Sequence, residues 1–135
     1  MKLMDIEIED GAIFKVQENL SFIQRNKVTS ILEKFMDLQE IQKLQEKYKD
    51  IPQENLSGDM FLTALKKDVT ATELNMELSI YLLQNVVHDP IITDEMLNDP
   101  DDPNSENYFV LGQELGRLAI NSIGKSSIIK KTQNL

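Results

Sequence analysis

Met4, Ile6 and Ile8 alternate with Asp5, Glu7 and Glu9, and Asp10-Gly11 follows at once. Period-two alternation is the mark of a strand with one wet and one dry face. Gly accepts the positive φ of a tight hairpin turn, so Asp10-Gly11 sends the chain back on itself. Ile13, Phe14, Lys15, Val16 and Gln17 form the return strand. This is the feature that most constrains the fold. A two-stranded hairpin is marginal in water, so it must lie on a larger body or pair with another chain.

That body reads as helical. Ser21 is placed to cap a long helix running to about Lys49, along which Val28, Ile31, Leu32, Phe35, Leu38, Ile41, Leu44 and Tyr48 build one apolar stripe. Gln39 to Tyr48 is too short for a coiled coil and reads as part of the core stripe. Ile51-Pro52 ends the segment, because the residue before Pro is pushed out of helical geometry. Ser57-Gly58 breaks the chain, and a second helix is expected over Asp59 to Lys67, burying Met60, Phe61 and Leu65. Thr70-Ala71-Thr72-Glu73 starts a third helix, to about Val87, with Leu74, Leu78, Tyr81, Leu82 and Val86 inward. His88-Asp89-Pro90 stops it.

Asp94 to Leu97 reads as a single helical turn and Asp99 to Pro103 as a rigid acidic loop. Ser105 caps the last helix, with Tyr108, Phe109, Leu111, Leu115 and Leu118 inward, and Gly124 is expected to terminate it. The fold class is therefore α+β, predominantly helical: a hairpin over residues 1–18, a helical body over 19–123, and a mobile basic tail over 124–135. At 135 residues the chain holds one hydrophobic core.

The net charge of −9 restricts partners. Lys125, Lys130 and Lys131 face no acid within the tail, so the body ahead of them is more acidic than the whole chain. Such a surface repels phosphate backbones and anionic lipid, which disfavours nucleic acid and membrane as direct partners. With no Cys there is no thiol nucleophile, thiolate metal site or disulfide. The charged start, Met1 to Glu7, does not fit a signal peptide, and no apolar run is long enough to span a membrane. A cytosolic protein is expected.

Candidate chemistry is sparse. Asp94, Glu95, Asp99, Asp101 and Asp102 suggest a hard-cation site, but starting a calcium loop at Asp99 puts Asn104 at the Gly position and Val110 at the closing carboxylate. The pattern fails, leaving a solvated acidic loop. His88, the only His, lacks a nucleophile at a known spacing and reads as a helix C-terminal cap. Five Gly write no phosphate-cradling loop. Gly112 and Gly116 have the spacing that lets helices approach closely, and packing within the domain is their expected use. No catalytic residue, metal or cofactor is assigned. The one segment marked for partner binding is the tail, where Lys125, Lys130 and Lys131 surround the apolar pair Ile128 and Ile129.

The order of features resembles the tail assembly chaperones of long-tailed phages. The resemblance rests on the hairpin, the segment Phe14 to Ser21 leading into a charged helix, the turn Val86-Val87-His88-Asp89-Pro90, the acidic stretch Ile92 to Leu97, and the helix around Leu111-Gly112-Gln113-Glu114-Leu115. It implies a non-catalytic protein in the host cytoplasm that binds the tape measure protein, keeps its hydrophobic helices soluble and helps recruit tail tube subunits. Such a protein is absent from the finished virion. Members often have a longer, frameshifted form, and the lysines of the tail can be encoded by slippery A-rich runs. The family offers no fixed functional residues to carry over. Alternatives from the residues are an acidic nucleic-acid mimic that captures a DNA-binding protein, a structural virion component, and a small enzyme. The unpaired hairpin edge also allows a homo-oligomer.

Overall fold

The structure, a computed structural model, describes residues 1–52 and 63–133, with side chains as far as Ser122. Among the described residues the order is β1 (Leu3–Glu7), β2 (Ile13–Gln17), α1 (Phe22–Phe35), α2 (Leu38–Lys47), α3 (Ala71–Val86), β3 (Val87–Asp89), α4 (Asp94–Asn98) and α5 (Ser105–Gln133). The protein is α+β and mostly helical, with the expected hairpin at its start.

The hairpin forms as its alternation demands. Gly11 turns with a φ of 93°, and Asp10 Oδ1 accepts from the Ala12 N–H at 2.9 Å. Met4 pairs with Val16 and Ile6 with Phe14 on the inner face, while Asp5 meets Lys15 on the outer face in a 3.1 Å ion pair. Phe14 and Val16 are at most 1 % exposed, and burying two such side chains contributes about 1.5–3 kcal/mol each. The edge-to-face contact of Phe14 with Tyr108, centroids 6.4 Å apart, seats β2 on the start of α5.

A third strand was not foreseen. Val87, expected as the last residue of the helix, and His88 and Asp89, expected within its stop with His88 as a cap, leave α3 in extended geometry and pair antiparallel with β2, giving the order β1-β2-β3. Val87 carries a β-branched side chain that is almost fully buried, so the sheet satisfies both its backbone and its side chain. The Asp89-Pro90 peptide bond is cis.

The long first helix is divided in two. Met36 is extended, pairs with Leu65 in an isolated bridge, and separates α1 from α2. The Asp37 N–H donates to Ala64 O at 2.9 Å and the Lys66 N–H to Phe35 O at 3.0 Å, so a crossing segment satisfies the backbone that a continuous helix would have used. Asp37 then caps α2, its Oδ1 accepting from the Gln39 N–H at 2.9 Å. The second helix expected over Asp59 to Lys67 falls partly outside the described residues, Met60 and Phe61 included. From Thr63 onward that stretch is not α-helical, and Leu65 lies in the bridge.

α1 starts as expected, with Ser21 and Gln24 forming a reciprocal capping box. α3 buries Leu74, Leu78, Leu82, Leu83 and Val86 and leaves Tyr81 half-buried. It packs along α5, where Leu111, Leu115 and Ala119 complete the core. Phe109 does not face inward. It is 69 % exposed, because two residues of helix turn it by about 200° from Leu111. Gly124 does not end the last helix either: the backbone of α5 continues to Gln133. A glycine inside a helix costs about 1 kcal/mol but breaks it only where the chain takes up a left-handed turn. No helix among the described residues is long and apolar enough to cross a membrane.

Candidate functional site

Of the two glycines where α3 and α5 meet, one sets how close the helices come. A Cβ placed on Gly112 would lie 2.8 Å from Ser79 Cβ, and one on Gly116 would lie 3.5 Å from Leu78 Cδ2. Gly112 therefore has no room for a side chain, while Gly116 has ordinary contact distance. The small-residue spacing serves packing inside the domain, as expected.

Where this helix pair meets the hairpin, the surface opens into a groove of about 730 Å³. Its apolar wall includes Ile6 and Ile8 from the hairpin, Met36 and Leu65 from the bridge, and Leu74 and Leu78 from α3. Its polar lining mixes charged and uncharged side chains, with more acid than base. Glu7, Glu9 and Glu114 supply carboxylates, and Arg117, the one cation among the described lining residues, is held by Glu114 through Nε to Oε2 at 3.2 Å. A second opening, about 470 Å³, lies at the other end of the inner face. Met4, Leu20, Leu82, Leu115 and Ala119 line it, with Asn121 beside them.

The strand between these openings is β1, and it is an edge of the sheet. Glu18 N–H donates to Lys2 O at 3.0 Å and Ile8 N–H to Ala12 O at 2.8 Å. Even-numbered residues of β1 therefore point their backbone groups at β2. In an antiparallel ladder the odd ones, Leu3, Asp5 and Glu7, then point theirs outward. Among the described residues no strand pairs with that side.

On its other side β2 is fastened to β3 by side chains as well as by the ladder. His88 Nε2 lies 2.8 Å from Gln17 Oε1, so the ring nitrogen donates there. Gln17 and Gln24 exchange side-chain hydrogen bonds at 2.7 and 3.0 Å, and Gln24 Nε2 reaches Asn85 O at 3.1 Å. This amide network joins β2, α1, the end of α3 and β3. It assigns His88 a structural role, although in a strand and not as a helix cap. Sequence reasoning missed the network, because nothing in the spacing of Gln17, Gln24 and His88 signals that they meet.

The acidic stretch organises itself locally. Asp99 and Asp102 accept the N–H groups of Asp101 and Asn104 at 2.9 and 2.8 Å, and Asp94 accepts from Gln84 Nε2. Tyr108 donates its hydroxyl to Asp102 at 3.2 Å. Its phenol is held above the ordinary 10.0, first by burial and then by the Asp102 charge; burial also raises Tyr81. Asp10 is pushed down by the Ala12 N–H and then by Asn107. Among the described residues no group of three or more His, Asp or Glu side chains is arranged to hold a metal ion.

Of the tail residues marked for binding, Lys125, Ile128, Ile129, Lys130 and Lys131 fall within the helical backbone of α5, but their side chains lie outside the described residues. The geometry brings together a different set: the edge and inner face of β1 and the groove beside it. No protein-family model, no curated protein and no solved structure matches the chain.

Proposed function

We propose that the chain is a non-catalytic protein that works by binding another protein, and that the groove beside β1 is where apolar side chains of that partner go. The observation that carries this reading is an open, apolar groove with carboxylates in its polar lining. Apolar walls supply affinity through burial, and the carboxylates keep copies of the chain apart when the groove is empty. The order of sequence features resembles that of tail assembly chaperones. On that reading the chain binds the tape measure protein and helps recruit tail tube subunits in the cytoplasm of a bacterial host, and it stays out of the finished virion.

Co-expression with a tape measure protein, the partner that the resemblance implies, tests the reading. A partner that is soluble only with this chain present, and that co-elutes with it, is the expected outcome. Unchanged solubility with no co-elution rejects the chaperone role. Salt-sensitive capture of a basic DNA-binding protein instead would favour the nucleic-acid mimic.

A further inference from the structure

β1 combines three features that do not depend on one another. Its outward side carries the N–H and C=O groups of Leu3, Asp5 and Glu7 in ladder spacing, without a partner strand among the described residues. Its outer face is acidic: Asp5 shares Lys15 at 3.1 Å, with both side chains at least half exposed, and Glu7 stands opposite the uncharged Ile13. Its inner face is half-buried, with Met4 on one opening and Ile6 on the other, so apolar side chains laid beside them would cover both.

We infer that the edge of β1 accepts an extended strand from a partner, with basic residues opposite Asp5 and Glu7 and apolar residues opposite Met4 and Ile6. This rests on the reading of the chain as a protein-binding module and specifies the segment it recognises. Backbone hydrogen bonds to the odd-numbered residues hold the strand, and alternate side chains select it. Charge complementarity decides the occupant. A cation opposite Glu7 supplies a counter-charge that β2 does not, and one opposite Asp5 joins Lys15 on the same carboxylate. A second copy of β1 is the poorer fit. Antiparallel self-pairing centred on the strand sets Asp5 against Asp5, and sliding it toward the turn sets Asp5 against Glu7; like charges directly opposite are destabilising. For an antiparallel partner the expected pattern, from Glu7 to Leu3, is basic, apolar, basic, apolar, apolar.

The test uses the full chain and a synthetic peptide alternating lysine and valine, followed by amide exchange in NMR spectra. Binding is expected to protect the amides of Leu3, Asp5 and Glu7, whereas those of Met4, Ile6 and Ile8 are protected already. Reversing both charges (Asp5→Lys with Glu7→Lys) weakens binding about ten-fold. Asp5→Pro removes one outward donor without touching the β1–β2 ladder, and abolishes it. A peptide N-methylated at alternate residues, which leaves the protein intact, also fails to bind.

Wild-type protein that ignores the lysine–valine peptide, or binds it without protecting the three amides, overturns the inference. So does equal binding of the N-methylated peptide, of a glutamate–valine peptide, or of a second copy of the chain. The co-expression assay separates the two levels. A partner still rescued by Asp5→Pro overturns the strand and leaves the binding function standing, whereas a partner that wild type does not rescue removes the binding function itself.

Discussion

The two strands of the hairpin carry the same alternating pattern and end in opposite circumstances. β2 is paired on both sides, and its inward Phe14 and Val16 are at most 1 % exposed. β1 is paired on one side, and its inward Met4 and Ile6 are only half-buried. The difference comes from β3 and from Tyr108, which reach β2 and not β1. Alternation says which face of a strand is dry; the rest of the chain decides which strand is closed.

The largest effect should come from the closed strand. Phe14→Ala empties a fully buried site and is expected to cost about 3–5 kcal/mol in urea denaturation, whereas Ile6→Ala on the open strand costs about 1–2 kcal/mol. Equal losses would erase the distinction between the strands. The glycines of α5 sharpen the same contrast along the helix pair. Gly112→Ala pushes a methyl group into Ser79 and should cost about 1–3 kcal/mol, while Gly116→Ala should lie within about 1 kcal/mol of wild type. Adding Ser79→Gly to Gly112→Ala should recover part of the loss.

Gln24→Ala probes how the closed side is fastened. It removes half of the capping box and the bonds to Gln17 and Asn85, for an expected cost of about 1–2 kcal/mol. A loss no greater than that of an exposed helical residue would mean the network holds nothing.

The smallest effect is alkaline. Tyr108, beneath β2, has its folded pKa raised above 10.0, so the neutral phenol is favoured in the native state. That stability is complete below the unfolded value near 10 and disappears as pH rises through the folded one. Tyr81 adds to it in the same direction. The urea midpoint should fall as pH passes 10, and Tyr108→Phe should flatten the fall. An unchanged slope in Tyr108→Phe would show that Tyr108 plays no part in it.

Local signals made much of the fold legible. The turn at Asp10-Gly11, the Ser21 cap and the apolar faces of α1 and α3 follow from spacing and side-chain chemistry within a few residues. What escaped were features created by distant segments meeting. Met36 breaks a helix-compatible stripe because residues 64–66 lie alongside it, although Asp37 with Glu40 three residues on is a cap signal that was open to reading. Val87 to Asp89 becomes a strand because β2 offers an edge. The candidate site shows the same division. The acidic outer face of β1 is plain in the alternation, but the groove beside it draws on the hairpin, the bridge, α3 and α5, and no local pattern could assemble those.

The docking of a partner strand depends on β1 having one free side, and residue-by-residue amide exchange in the unliganded chain tests that directly. The account predicts an alternation along one strand: fast exchange at Leu3, Asp5 and Glu7, and slow exchange at Met4, Ile6 and Ile8. Uniform protection from Leu3 to Ile8 would contradict it, since the outward edge would then already be occupied.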